Sequence, residues 1–332
     1  MRRLATAGVV LALAAAIIAH PAAAFQASVQ GLELWWNVVF PALLPFFIVS
    51  QLLLGLGVVR ALGSVMEPVM RRAFRVPGEG AFVLALGAVS GFPVGAVLTA
   101  QLRRAGAISR EEAERLVCFA NTANPLFMSG AVAVGMFGNA AVAPLIMAAH
   151  YLSDLLIGLL LRFHGPGAPR PKPVPVPPVR PPDQPPLGTL LAEAVERSLN
   201  TLGLIGGFIV LFAVSVKLLT VLGVLRLPTA ALAGVFSPWG LDRPLARALI
   251  QGGFEISSGA QQAARAAAPL AARLAVVGAI LAWSGLSVLA QVTAVLRGTD
   301  LRLHLYLLAR LAQAALAAAL SLLLYPLWFG RP

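Results

Sequence analysis

Long apolar runs dominate the chain, each near the roughly 20 residues that carry a helix across bilayer hydrocarbon. They pass through Leu4–Ala19, a span closing on Gly57-Val58-Val59, Gly80–Leu102, Leu116–Phe137 and Ala143–Leu161. A second series follows: a span closing on Gly223-Val224-Leu225, an apolar stretch interrupted at Ser284, and Leu305–Leu324. Between the two series, from Gly165 to Pro186, prolines alternate with Val, Arg and Lys. Such a segment is extended and solvated, and reads as a linker, with a proline-rich ligand for a partner domain as the alternative. The pattern predicts an all-α polytopic membrane protein.

The two series resemble each other. Residues Val29–Val59 form an amphipathic lead-in followed by an apolar span, and Val195–Leu225 do the same. Gly91-Phe92-Pro93-Val94-Gly95-Ala96 is echoed by Gly253-Phe254-Glu255-Ile256-Ser257-Ser258-Gly259-Ala260. Beyond each lies a polar break in an apolar helix, Asn121-Thr122-Ala123-Asn124-Pro125 in the first series and Ser284-Gly285-Leu286-Ser287, with Gln291, in the second. An uninterrupted span ends each series. The order points to a duplication: an N-terminal transmembrane helix over residues 1–24, a first repeat over 25–163, a Pro-rich cytoplasmic linker over 164–186 and a second repeat over 187–332.

Composition agrees: 59% of the 332 residues are apolar and 11% charged, against roughly 25% charged in ordinary soluble domains. The net charge of +12 reads as the Lys and Arg of cytoplasmic loops, not as a nucleic-acid surface, for no basic patch is interleaved with aromatics. Arg2 and Arg3 place the N-terminus in the cytoplasm. The first helix reads as a retained span, with a cleaved signal peptide ending near Ala22-Ala23-Ala24 as the alternative. Arg60, Arg71, Arg72 and Arg75 precede Gly80–Leu102, and Arg103, Arg104, Arg110 and Arg115 follow it. Both ends of that segment therefore lie on one side, which makes it a re-entrant hairpin turning at Gly91–Gly95. That parity starts the second half on the opposite face. The expected architecture is an inverted-topology repeat with about seven spanning helices and two re-entrant hairpins. Arg226, Arg243, Arg247, Arg265 and Arg273 would then face outward, against the positive-inside trend.

Candidate chemistry lies at the interruptions, since backbone broken at membrane depth survives only inside protein or beside a watery cavity. Asn121, Thr122 and Asn124 have donors and acceptors for freed carbonyls or for a solute. Ser284, Ser287 and Gln291 are their counterparts. Glu255 is the sharpest residue, because a carboxylate at the bilayer centre costs about 2.5–3.5 kcal/mol or more. It must be protonated, paired or exposed to a polar cavity, and either couples protons or cations or ties the second hairpin down; Asp154 has the same two readings. The expected solute site comprises Ser90, Gly91, Pro93, Gly95, Asn121, Thr122, Asn124, Glu255, Ser257, Ser258, Ser284, Ser287 and Gln291. The four histidines are too scattered for a metal site, Cys118 is the only cysteine, and there is no P-loop, zinc-protease motif or nucleophile elbow. No metal, cofactor or enzymatic activity is expected; an intramembrane enzyme using Asp154 and Glu255 is the lesser alternative.

Several segments resemble the YlbJ-type sporulation integral membrane proteins: Gly31-Leu32-Glu33-Leu34-Trp35-Trp36, Phe40-Pro41-Ala42-Leu43-Leu44-Pro45-Phe46-Phe47, Phe74-Arg75-Val76-Pro77-Gly78, Ser90–Ala96 and Gly135-Met136-Phe137-Gly138-Asn139. His150-Tyr151, Phe254-Glu255-Ile256 and Gly285–Val292 extend the match across the second half. The resemblance implies the nucleoside-recognition, or Gate, domain, similar to the core of concentrative nucleoside transporters, and a role in endospore formation. Dipicolinate transport toward the forespore is the leading substrate assignment it implies, with the positive ends of half-helices near Asn121–Pro125 and Ser284–Ser287 receiving carboxylates. A nucleoside transporter and a non-transporting scaffold for spore-envelope assembly stand as alternatives. Expected partners are a small solute and membrane lipid, not nucleic acid; a homo-oligomer and other sporulation membrane proteins remain open. The expected location is the cell membrane, in sporulating cells the outer forespore membrane.

Overall fold

A computed structural model describes residues 2–56, 65, 68–165, 186–236 and 242–330. The linker at 166–185, Arg60 and Gly57-Val58-Val59 lie outside the described residues.

Among the described residues the chain is helical, without strands. Helix α1 covers Arg2–Ala19, α2 Pro21–Leu34 and α3 Phe40–Gly55, the last two joined by a wider π-helical turn over Trp35–Val39. A tight helix pair follows, α4 (Glu79–Ser90) and α5 (Val94–Arg104). Next comes a broken helix, α6 (Arg110–Ala120) and a π-helical continuation over Phe127–Met136, and then α7 (Ala143–Leu161). After the linker come α8 (Leu187–Val221) and α9 (Arg226–Phe236). A second pair, α10 (Arg243–Phe254) and α11 (Ile256–Ala264), leads to a second broken helix, α12 (Leu270–Trp283) and α13 (Gly285–Val295), and to α14 (Leu303–Phe329). Among the described residues five helical stretches are long and apolar enough to cross a membrane: Pro21–Val49, Ala140–Leu161, Leu187–Val221, Leu270–Val295 and Leu303–Phe329.

Local sequence explains where the helices start. Ser109 opens α6 with a capping box: its hydroxyl accepts the Glu112 N–H, and the Glu112 carboxylate accepts the Ser109 N–H at 2.7 Å, satisfying two orphan donors. Glu255 does the same service for α11. Without a hydrophobic drive between helices in lipid, small residues and polar contacts set the packing. Gly87 on α4 and Gly95 on α5 straddle the end of α6 so closely that a Cβ on either would overlap the Ala120 carbonyl oxygen. Elsewhere α2 and α3 pack along α8, where the Trp35 indole donates to the Leu202 carbonyl at 2.9 Å.

Polar contacts mark the two ends of the bundle. At one end α5, the start of α6, the close of α7 and the start of α14 converge: Arg103 pairs with Asp300, and the buried Glu114 meets Arg110, His164 and Arg302. At the other, Arg273 donates to the Ala264 carbonyl closing α11 and lies over the Phe137 ring that closes the first broken helix.

Candidate functional site

The two helix breaks and the two hairpin tips meet at a cleft enclosing about 580 Å³. Gly91 and Phe92 reach it from the first tip, Ala123, Asn124 and Phe127 from the first break, Glu255, Ile256 and Ser257 from the second tip, and Ser287, Val288 and Gln291 from α13. Leu43 and Phe47 of α3 and Ile205 and Phe208 of α8 form the opposing apolar wall. The polar groups thus all come from the tips and from beside the breaks, among apolar neighbours such as Phe92 and Phe127, while α3 and α8 add only apolar ones, the usual composition of a small-molecule site.

At the first tip α4 stops at Ser90, Gly91 takes a positive φ of 80°, and the Phe92–Pro93 peptide is cis. Gly91 is required both by that φ and by space, since a Cβ would stand 2.9 Å from the Asn124 amide nitrogen. Asn124 is the brace: its Nδ2 donates to the Ser90 carbonyl at 3.3 Å, and its Oδ1 accepts the Phe127 N–H at 2.6 Å. Asn121 Oδ1 accepts the Ala96 N–H at 3.3 Å, and its Nδ2 donates to the Tyr306 hydroxyl at 2.8 Å. Thr122 donates to Asp154 Oδ2 at 2.6 Å and lies 2.8 Å from His150 Nε2. The Ala123 N–H also points at His150 Nε2, at 3.2 Å, so that nitrogen acts as an acceptor there. The first break is therefore held from one side by α5 and from the other by α7 and α14.

At the second tip the chain extends for one residue, Glu255, between α10 and α11. The buried carboxylate accepts the N–H groups of Ser257 and Ser258 at 2.9 and 2.7 Å and the Ser258 hydroxyl at 2.8 Å. It is an N-cap, seated at the positive end of α11. Behind it the second break turns through Ser284 and Gly285, both at positive φ, and Trp283 Nε1 donates to the Gly253 carbonyl at 3.1 Å.

Of the expected site residues, the structure brings Gly91, Asn124, Glu255, Ser257, Ser287 and Gln291 to the cleft. Ser90, Pro93, Gly95, Asn121, Thr122, Ser258 and Ser284 do not line it. Asn121 and Thr122 spend their polar groups on protein partners, and Gly95 serves close packing against Ala120. One of the two half-helix ends expected to receive carboxylates already has a protein acceptor, and so has the start of the second hairpin's α11. Asn124 Oδ1 already fills the start of the Phe127 helix, and the Glu255 carboxylate that of α11.

A second polar centre, absent from the expected site, lies behind the first break. The Arg310 guanidinium of α14, 1% exposed, donates to the carbonyls of Cys118 and Asn121 at the end of α6, to that of Ala282 at the end of α12, and to Asp154 Oδ1 at 3.2 Å. Carbonyls closing two half-helices carry partial negative charge, and one cation answers both. His150, Asp154 and Tyr306 complete this centre. One signal was available: Arg310 is a lone charge in the apolar helix Leu303–Phe329, and the rule that singles out Glu255 applies to it equally. A third cluster closes one end of the bundle, where Arg302 grips Glu114 through Nε at 2.8 Å and a terminal nitrogen at 2.7 Å, with His164 3.0 Å away. Burial pushes the Glu114 carboxyl up, but hydrogen bonds from Arg302, His164 and Arg110 outweigh it and hold the group at about 2. Among the described residues no group of three or more His, Cys, Asp or Glu side chains is placed to hold a metal ion.

Comparison with known proteins adds three findings. A family model described as Gate, nucleoside recognition, matches residues 36–140. The sporulation integral membrane protein YlbJ of Bacillus subtilis (strain 168) is 44% identical over 329 residues, covering 95% of this chain and 81% of that protein. Among solved structures, the transporter CNTnw in an inward-facing substrate-bound state aligns with a TM-score of 0.58 at 15% identity, over 96% of this chain and 85% of that one. CNTnw in an outward-facing variant form aligns with a TM-score of 0.54 at 16% identity, over 98% and 84%. These likenesses establish the fold.

Proposed function

The chain belongs to the family of YlbJ-type sporulation integral membrane proteins, and on that premise we propose that it is a multi-pass transporter of a small polar solute. The observation that carries this is the cleft itself: tips and breaks from both halves, far apart in sequence, present Asn124, Glu255, Ser257, Ser287 and Gln291 to one space. A scaffold would have no need of two broken helices whose polar groups converge.

In this reading seven segments cross the membrane: α1, α2 with α3, the first broken helix, α7, α8, the second broken helix and α14. The pairs α4–α5 and α10–α11 are re-entrant hairpins entering from opposite faces, and residues 25–163 and 187–332 are inverted repeats. Two sets of contacts support it. The base of the first hairpin lies beside Asp300, where α14 begins, and the base of the second beside Arg273 and Phe137, where the first broken helix ends.

The solute we favour is dipicolinate, moved during endospore formation, with the outer forespore membrane as the location. Phe47, Phe92, Phe127 and Phe208 offer faces for a planar ring, and the amides of Asn124 and Gln291 offer donors for its carboxylates. The match to a nucleoside-recognition family keeps nucleosides as the second reading. Purified protein in liposomes, given labelled dipicolinate and a panel of nucleosides, tests both. Asn124→Ala, Glu255→Ala and Gln291→Ala are each expected to abolish accumulation while the protein still inserts and folds. No movement of any solute by the parent protein overturns the transport reading, and normal accumulation in all three variants overturns the placing of the solute in this cleft.

A further inference from the structure

Four of the five arginines that break the positive-inside trend, Arg226, Arg243, Arg247 and Arg265, gather at two adjoining clefts. A cleft of about 1270 Å³ lies on the far side of the second hairpin, bounded by α2, α8, α10 and α11. Lys217, Arg247 and Arg265 line it, together with the amides of Gln251, Gln261 and Gln262. A smaller cleft of about 880 Å³ adjoins it through Val216, Thr220 and Arg247 and adds Arg226 and Arg243. No acidic side chain lines either space, and Asp242, next to Arg243 in sequence, lines neither.

These cations differ in kind from those at the other end of the bundle. There Arg103, Arg110 and Arg302 are spent on Asp300 and Glu114. Among the described residues the side chains of Lys217, Arg247 and Arg265 have no hydrogen-bond or ion-pair partner. Unpaired like charges in a concave space repel one another, and an anion is what relieves them. The wall between this cleft and the central one is thin. Ser258 lines the cationic side and bonds Glu255 Oε2, while Ser257 and Glu255 line the central side. A single turn of α11 separates the two.

We propose that this cleft is an anion-receiving vestibule, in which Lys217, Arg247 and Arg265 draw a small organic anion to the tip of the second hairpin. The proposal rests on the transport reading and narrows its solute to anions carrying carboxylate or phosphate. A cleft of one sign with low-dielectric walls focuses the field and raises local counter-ion concentration and arrival rate by about 10- to 1,000-fold.

The test uses the full chain and the triple variant Lys217→Gln/Arg247→Gln/Arg265→Gln, each in phosphatidylcholine vesicles. The probes are dipicolinate with two carboxylates, picolinate with one, and uridine with none. The vestibule predicts a KM for dipicolinate at least about tenfold higher in the variant, a smaller rise for picolinate, no change for uridine, and kcat unaltered throughout. An unchanged dipicolinate KM, or an equal rise for uridine, overturns it while leaving transport standing. Equilibrium dialysis of dipicolinate against the detergent-solubilised protein separates the two claims. Salt-sensitive binding that the triple variant loses, without transport in vesicles, sinks the transport reading and keeps the vestibule. Phosphatidylglycerol supplies the other source of the same chemistry. If it stabilises only the parent protein, while dipicolinate binds both forms alike, the cleft holds a lipid headgroup and the vestibule is refuted.

Discussion

Arg310 offers the most direct test of how the breaks are held. In Arg310→Met the apolar stem remains, but the carbonyls of Cys118, Asn121 and Ala282 lose their shared donor and Asp154 loses its cation. Removing one partner of a buried ion pair costs about 3–5 kcal/mol, most of it from the charge left unpaired. Each carbonyl left unsatisfied adds about 1–3 kcal/mol, unless water enters. The Ala282 contact, at 3.5 Å, contributes least. The single variant should therefore lose at least about 4 kcal/mol, the pair and one carbonyl taken at their lower bounds. Asp154→Asn should lose less, because the amide still accepts from Thr122 and the guanidinium keeps its carbonyls. In the double variant the unpaired carboxylate is gone, so its loss should fall short of the sum by about 1–3 kcal/mol. Arg310→Lys should be intermediate, since one ammonium cannot reach acceptors spread over two helices as a planar fork does. Reversible denaturation of the purified protein in detergent measures all four. A loss below about 1 kcal/mol in Arg310→Met, or single effects adding to within about 0.5 kcal/mol, refutes the idea of a shared cation.

Three further outcomes are expected. Gly95→Ala places a Cβ against backbone at Ala120 and Asn121, which cannot swing aside, and should cost about 1–3 kcal/mol, whereas Gly203→Ala, with open space around it on α8, should change stability by far less; equal effects would refute the packing argument. The Glu114 carboxyl titrates near 2, below its ordinary 4.5; its contribution is complete above that ordinary value and fades as pH falls toward 2, so thermal stability should drop across this window in the parent protein and less in Glu114→Gln. In a Cys118→Ala background, Ala105→Cys and Ala267→Cys should react with an impermeant maleimide from opposite faces of sealed vesicles, and labelling from one face would refute the inverted arrangement.

Much of the helical framework was legible because lipid enforces it. Apolar run lengths located α7 at Ala143–Leu161 to the residue, and Gly and Pro marked the first tip between α4 and α5. Polar interruptions found both breaks. What a pattern along one chain could not supply was which polar residue faces which. Asn121 and Asn124 stand one helical turn apart and look equivalent in sequence, yet Asn124 lines the cleft while Asn121 binds Ala96 and Tyr306. Arg310 was overlooked for a related reason: its partners lie 28 to 192 positions away, beyond any local spacing rule. Arg226, Arg243, Arg247 and Arg265 run against the positive-inside trend along the sequence, and only the fold shows that they share two adjoining clefts.

The grip of Arg302 on Glu114 bears on how the residues before the linker and those after it recognise each other. Acid comes from the first set and base from the second, as it does where Asp154 meets Arg310, while Arg103 and Asp300 pair in the opposite sense. Two identical sets facing each other would offer the same group from both sides. Complementary charges make the seam directional, so neither set can stand in for the other. Cut within the proline-rich segment and co-expressed, the two pieces are expected to copurify with each other in preference to a copy of themselves.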